Sequence, residues 1–522
     1  MKKRKNIENI VLAFLSAFLY LGLRFIMHEK IGGAGYFDGG LVSDDSYYHY
    51  AFAKELIRTG HLFLFQNPFG SFDKEPHLIN IYASFLKILS PFYRIDLFLF
   101  DCILGAVVIF LTSLCLMILL SRLQTIDKAL LLFGGGVSFI GVFFGVVSEA
   151  DAIGDGFWGL TYFLNQISTP EIIYHFLFFF GLFCLIKGHD LGVILVMAIL
   201  TFLHPFTSIT FNALVISAWL YQLIRSRRFV NSRLKLFLYA VGSITISVLV
   251  FQIFLPYVSR DAKYFKLVYE KTNFQIDFRH YSLFFIIPML FCLASLLFTK
   301  KSEEEQDGEL LWVSLMTSIF CMAMSMSYLI TSKIIQPAHW SRAYPYVLLI
   351  AFGGLYSIRG VGGKPSKILK LIKICLLIIA ISDSALGIKY ISGSLFHEKR
   401  PPLFLTLDQI QIIKLAKNLK PGTFLYLRDK SNKTRVGDFE YAIMAMSPQK
   451  GLLGHSFFSP FLQILKPRMY PKGTKISLPK PVISYTDYFI FDKQLLNVPG
   501  FQLGDTLYEG TSLVFTKNAK DK

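Results

Sequence analysis

The chain has 522 residues, 53% of them hydrophobic, and a mean hydropathy of +0.50. Soluble domains carry about 45 to 50% apolar residues, so this composition excludes a purely water-soluble protein and requires lipid. The formal net charge of +18 is accounted for by Lys and Arg gathered in short cytoplasmic loops, and no nucleic-acid partner is implied.

The N-terminal Lys2, Lys3, Arg4 and Lys5 precede an apolar run from 11 to 27 with no small-residue cleavage site, which reads as a retained cytoplasm-anchored span. Hydropathy predicts about eleven spanning helices, near 8–27, 97–120, 129–147, 171–187, 190–204, 207–224, 236–256, 281–298, 310–330, 343–358 and 371–390. The fold class expected is therefore a polytopic α-helical membrane protein. With the N-terminus inside, the Lys/Arg-rich connections fall on the cytoplasmic side of a plasma membrane. The opposite side receives a long loop (28–96), an acidic loop (148–160), a mixed loop (257–280), the segment 331–342 and everything after 390. Two domains are expected: a transmembrane domain over 1–390 and a small extracytoplasmic α/β domain over 391–522. The second rests on a helical pattern over 405–420 and on β-like runs at 423–428, 487–492 and 511–517. All six cysteines (Cys102, Cys115, Cys184, Cys292, Cys321 and Cys375) lie in or beside apolar runs without zinc-ligand spacing.

Candidate chemistry concentrates on the outside. From Ser46 to Arg58, apolar residues recur at helical spacing, predicting a helix on the bilayer surface, with a second such helix after Pro76. Asp44 and Asp45 open the first. They serve either as helix N-caps or, beside Tyr47, Tyr48, His49 and Tyr50, as groups that deprotonate a hydroxyl, hold a divalent cation or bind a sugar. Glu149, Asp151 and Asp155 on the acidic loop are either solvated or turned into the same cavity. Glu75-Pro76-His77 either starts a helix or joins the site. His204-Pro205 breaks an apolar stretch, where a histidine is a functional candidate or a hydrogen-bonded hinge. His339, Trp340 and Arg342 close an outside loop just before a span, where Arg342 either anchors at the interface or meets a lipid phosphate with its bidentate fork. Phosphate-loop, dinucleotide, H-E-x-x-H and G-x-S-x-G motifs are absent from the sequence.

The Asp44-Asp45 pair with Tyr47-Tyr48-His49-Tyr50 resembles the first-loop acidic motif of the GT-C superfamily of integral-membrane glycosyltransferases, in its oligosaccharyltransferase-like and mannosyltransferase-like members. Residues 67–89, Thr169-Pro170-Glu171, His204-Pro205 and the segment 451–460 look like a bacterial branch of that superfamily. A WWD-like motif in the C-terminal domain and a second-loop D-x-D are both lacking. The resemblance implies a hexosyltransferase-like enzyme that moves a sugar from a polyprenyl-phosphate donor to a glycan, lipid or protein acceptor at the outer face of the bilayer. On that reading Asp44 or Asp45 is the base. Arg342, His339, His204, Glu75, His77, Tyr48 and His49 would contact substrate or lipid phosphate, and Asp45, Asp151 and Asp155 would hold a divalent cation, Mg or Mn. Two other classes stay open: a transporter or flippase of a lipid-linked substrate, and a noncatalytic envelope scaffold.

Overall fold

The computed structural model describes residues 2–32, 44–62, 80–93, 97–120, 169–226, 231–259, 293, 305–325, 406–429, 438–451, 469–470, 484, 486–495 and 503–519. The chain divides into two compact units that do not follow chain order. One comprises Met1–Arg24, Ile103–Ile253 and Ser259–Glu398, the other Phe25–Cys102, Phe254–Val258 and Lys399–Lys522. The second unit thus joins the first long loop between helices to the C-terminal part of the chain. The predicted spans at 129–147, 343–358 and 371–390 lie outside the described residues, as does that at 281–298 apart from Leu293.

The first unit is helical. Among the described residues it holds most of α1 (Lys2–Gly32) and α5 (Leu97–Leu119), then α6 (Thr169–Lys187), α7 (Asp190–Leu203), α8 (Pro205–Ser226), most of α9 (Asn231–Ser259) and α10 (Glu305–Ser325). The helix α1 shows why this unit needs lipid. Its protein-facing side carries Asn9, Ala13, Ser16, Ala17 and Tyr20, all buried, whereas Ile7, Val11, Phe14 and Phe18 are exposed. Small and polar residues inside with large apolar residues outside is the reverse of a soluble helix, and it is stable only where the outer phase is itself apolar. Leu191 and Leu195 of α7 and Leu238 and Leu249 of α9 are likewise exposed. Two described helices, Leu97–Leu119 and Phe206–Ile224, are long and apolar enough to cross a membrane. The chain is an α-helical membrane protein.

Several hydroxyl groups inside these helices are satisfied locally. Ser16, Thr112, Thr210, Ser314 and Thr317 each donate to the carbonyl four residues earlier, as membrane helices require. Thr201 of α7 lies 2.8 Å from Ser243 of α9, and Asn212 of α8 donates to Ser208 and Ser243, so one small hydrogen-bonded cluster joins three helices. The α6–α7 turn is built on Gly188, at φ +74. Its N–H donates to Leu185, and that of His189 to Cys184. This pair of bonds closes the helix in a Schellman motif that favours glycine.

In the second unit, a sheet of order β2-β1-β4-β6-β5 carries the C-terminal segment. Its strands are β1 (Thr423–Asp429), β2 (Lys450–Gly451), β4 (Tyr488–Asp492), β5 (Leu503–Glu509) and β6 (Leu513–Asn518), and β3 (Met469–Tyr470) also pairs with β1. Strand β1 runs parallel to β2, β3 and β4, and β6 is antiparallel to β4 and β5. Helix α11 (Leu407–Asn418) opens with a full capping box between Thr406 and Gln409. Helix α12 (Asp438–Met446) makes the crossover from β1 to β2. Asp408, 4% exposed, ties α11 to the β5–β6 turn. It accepts from the hydroxyls of Tyr508, Thr511 and Ser512 and from the N–H groups of Thr511, Ser512 and Leu513.

Three helices between α1 and α5 complete this unit: α2 (Asp44–Thr59), α3 (Ile81–Ile88) and α4 (Ser90–Tyr93). Here the structure corrects the expectation for the first of them. Tyr50, Ala51, Phe52, Ala53, Glu55 and Leu56 of α2 are all buried, because the helix packs on α12 and α3. Its apolar residues are covered by protein and not by a bilayer surface.

Candidate functional site

Helix α2 begins at Asp44, so Asp44 and Asp45 both occupy its first turn, where unpaired N–H groups and the positive end of the helix dipole stabilise negative charge. The rest of the helix is anchored in three directions within its unit. Toward the membrane helix α5, the Tyr50 hydroxyl donates to Asp101 Oδ1 at 3.2 Å, and Asp101 is fully buried. Toward α3, Asn80 Oδ1 accepts from Ala83 N at 2.9 Å and caps that helix. Its amide nitrogen lies 3.0 Å, and its Oδ1 3.2 Å, from His49 Nδ1. The ring also meets Tyr82 edge-on at 5.1 Å.

The third anchor comes from the distant end of the chain. Lys54 Nζ donates to Met444 O at 2.6 Å and also to Ser447 O, the last carbonyls of α12. A cation at a helix C-terminus satisfies orphan carbonyls and complements the dipole. Glu55, 5% exposed, is neutralised by Arg58 at 2.8 Å. A lysine and a glutamate that a surface helix would show to water are thus both taken up in fixing α2.

His204 lies in the other unit and has a local role. Its N–H closes α7 on Leu200 O and its carbonyl accepts from Ser208 N in α8. Its Nδ1 lies 2.7 Å from the Thr207 hydroxyl and accepts from Thr207 N at 3.3 Å. The ring stacks on Tyr174 at 4.2 Å and 11°. His204 is therefore the N-cap of α8, with Pro205 at the first helical position, where its missing donor costs nothing. The structure gives Asp44, Asp45 and Tyr48 a place at the start of α2 and gives His49 and His204 the contacts above. Glu75, His77, Asp151, Asp155, His339 and Arg342 lie outside the described residues. Among the described residues no three His, Cys, Asp or Glu side chains come together to hold a metal.

Sequence reading passed over Asp101 and Lys54. An acid within the predicted span 97–120 was the available signal for Asp101, since intramembrane carboxylates are rare and partnered. Lys54 had none, because its acceptors lie about 390 residues later in the chain.

No protein-family model matches the chain, and no curated protein matches it in sequence. Solved structures do. The arabinofuranosyltransferase AftD from Mycobacteria is similar at a TM-score of 0.47 and 13% identity, covering 98% of this chain and 40% of that one. The oligosaccharyltransferase of Archaeoglobus fulgidus, solved with Zn and sulfate, is similar at a TM-score of 0.37 and 11% identity, covering 97% of this chain and 73% of that one. This chain thus spans about two fifths of the length of the arabinofuranosyltransferase.

Proposed function

We propose that the chain is a membrane glycosyltransferase that moves a sugar from a polyprenyl-phosphate donor to an acceptor hydroxyl at the outer face of the bilayer. The observation that carries this reading is the fixing of α2. A helix that opens with two adjacent carboxylates is held at once to a membrane helix through Tyr50–Asp101, to α3 through His49–Asn80, and to the α/β domain through Lys54. Catalytic groups need that kind of preorganisation, and a solvated N-cap does not.

In the reaction, Asp44 or Asp45 takes the proton of the acceptor hydroxyl, and the acceptor oxygen attacks the anomeric carbon. The bond from that carbon to the phosphate oxygen breaks, and polyprenyl phosphate leaves with the negative charge. Arg342 and His339 are proposed to offset that charge, and the α/β domain to shape the acceptor cleft. The glycosyl phosphate supplies the driving force, so no nucleotide is needed. Mg or Mn at Asp45, Asp151 and Asp155 stays a proposal on sequence grounds, and no step is routed through it. Purified protein in proteoliposomes with a radiolabelled polyprenyl-phosphate sugar tests the class. Release of polyprenyl phosphate with label moved to an acceptor fraction is expected; label recovered as intact donor in the opposite leaflet would make the protein a flippase.

A further inference from the structure

Short loops beside the spans do not account for the whole charge of the chain. Residues 399–522 hold 19 Lys and Arg against 9 Asp and Glu, a balance of +10 out of +18. Phe25–Cys102, in the same unit, hold 6 against 9, so the excess belongs to the α/β segment alone. The topological preference for cations acts on short loops near the ends of spans and leaves large domains free. The acids of the segment are also withdrawn from its surface. Asp408, Glu440 and Asp492 are buried. Asp487 accepts from Thr423 N at 2.7 Å and from its hydroxyl at 3.0 Å, and Glu509 pairs with Lys493 at 2.8 Å. A surface so biased attracts an anionic partner.

We propose that the exposed face of α11 binds an anionic glycan, a sugar chain that bears carboxylate or phosphate groups. Gln411, Lys414 and Asn418 are exposed at i, i+3, i+7, the spacing of one stripe along a helix. Lys417, and Lys420 just past the helix end, are exposed as well. The one acid of α11, Asp408, is taken up by the β5–β6 turn, and Lys414 and Lys420 pair with no acid among the described residues. Each residue type answers one part of such a ligand. Ammonium groups pair with carboxylate or phosphate, and the amides of Gln411 and Asn418 offer both donor and acceptor to sugar hydroxyls. The same stripe argues against a bilayer. A helix that enters lipid needs a continuous apolar face, whereas exposed Leu407 and Leu415 are separated by Gln411 on their own i, i+4 row.

The backbone under this face is held at both ends. The capping box of Thr406 and Gln409 and the Asp408 tie fix its start. At its end Gln449 Nε2 donates to Ala416 O at 3.3 Å and to Lys420 O at 3.0 Å, and the Tyr488 hydroxyl donates to Lys420 O at 3.1 Å. The lysines therefore stand on a frame set before any ligand arrives, which lowers the ordering cost of binding. That the glycan is the acceptor of sugar transfer rests on the proposed function. That the face binds it does not.

Biolayer interferometry of the full-length protein in neutral detergent, with no sugar donor present, tests the binding. The immobilised probes are octagalacturonate, its methyl ester and a phosphorylated oligomannose. The wild type is expected to bind an anionic probe, to release it as salt rises, and to bind the uncharged ester far more weakly. Combining Lys414→Gln, Lys417→Gln and Lys420→Gln should weaken binding roughly tenfold, which is about what three exposed ion pairs contribute. The matching Lys→Arg combination should keep it. Lys187→Gln with Lys235→Gln, at exposed lysines of the other unit, should leave it unchanged. Equal binding of the acid and its ester, or by the wild type and the α11 Gln variant, would overturn the proposal. An equal loss in the Lys187 and Lys235 variant would do so too, by reducing the effect to net charge. So would binding of short-chain phosphatidylglycerol and of none of the glycans, which would assign the face to the bilayer. Glycan binding without any sugar transfer would count against the transferase reading and leave this one standing.

Discussion

Replacing Asp408 by Asn removes a single charge from the tie between α11 and the β5–β6 turn and leaves the volume nearly unchanged. Oδ2 accepts from Ser512 N at 2.5 Å, Ser512 Oγ at 2.7 Å, Leu513 N at 3.1 Å and Thr511 Oγ1 at 3.2 Å, while Oδ1 accepts from the Tyr508 hydroxyl at 2.8 Å and Thr511 N at 3.2 Å. An amide can keep only one of these oxygens. In its better orientation the new NH2 group faces Tyr508, whose hydroxyl can turn to accept, and Thr511 N, which is left without an acceptor. Hydrogen bonds to a charged group contribute about 1.5–3 kcal/mol against about 1 kcal/mol for neutral ones, and an orphaned buried donor costs a further ~1–3 kcal/mol. The net loss is about 3 kcal/mol, or roughly a hundredfold in the local opening equilibrium. Hydrogen–deuterium exchange of the full-length protein in detergent reads this directly. The amides of Thr511, Ser512 and Leu513 should exchange about a hundredfold faster in Asp408→Asn. Unchanged protection would refute the argument.

The same carboxylate sets a pH dependence. Burial pushes its pKa up, but the donors from Ser512, Tyr508 and Thr511 outweigh that and hold it well below the usual carboxylate range. A depressed folded pKa gives stability that is present above the unfolded value, near 4, and is lost as pH falls below it. Protection of the β5–β6 turn should therefore fall below pH about 4 in the wild type and stay flat there in Asp408→Asn.

Three further outcomes follow from the anchors. Lys54→Met leaves the last carbonyls of α12 without their cation, so exchange across α12 and α2 should rise, by about 2 kcal/mol of local stability, while α6 to α8 in the other unit are unchanged. Asp101→Leu removes the acceptor of the buried Tyr50 hydroxyl and should lower sugar transfer with no loss of membrane insertion, whereas Asp101→Asn, which keeps an acceptor, should recover most of it; equal rates in all three proteins would discard the Tyr50–Asp101 anchor. Asn212→Leu deletes the bonds to Ser208 and Ser243, yet interhelical hydrogen bonds in lipid contribute only about 0.6 kcal/mol on average. Its thermal inactivation in detergent should accordingly shift little.

Much of the fold was legible because its elements follow simple periods. Helices α5 to α8 stand where the apolar runs 97–120, 171–187, 190–204 and 207–224 predict helix, α5 and α8 long and apolar enough to cross a membrane, and the His204-Pro205 break is seen where the proline demands it. Strands β1, β4 and β6 are apolar runs that lie buried. Strand β5 was missed because LGDTLYE holds a glycine and two acids and sits at the sheet edge, paired only to β6, where no apolar run is needed. The burial of α2 was not legible either. Lys54 and Glu55 mark a solvent face by local pattern, and only the α12 carbonyls and Arg58 reverse that reading. The acidic pair stood out from residue type alone, but its anchors Asp101, Asn80 and Lys54 depend on partners between about 30 and 390 residues away, beyond the reach of any local pattern.

The most direct measurement is the transfer of labelled sugar from lipid-linked donor in membranes carrying Asp44→Asn, Asp45→Asn or the double substitution, matched for protein level. At least one single variant and the double variant should lose transfer while keeping wild-type exchange in the body of α2 and in α12. Wild-type transfer by the double variant would contradict the assignment of the α2 carboxylates as the base.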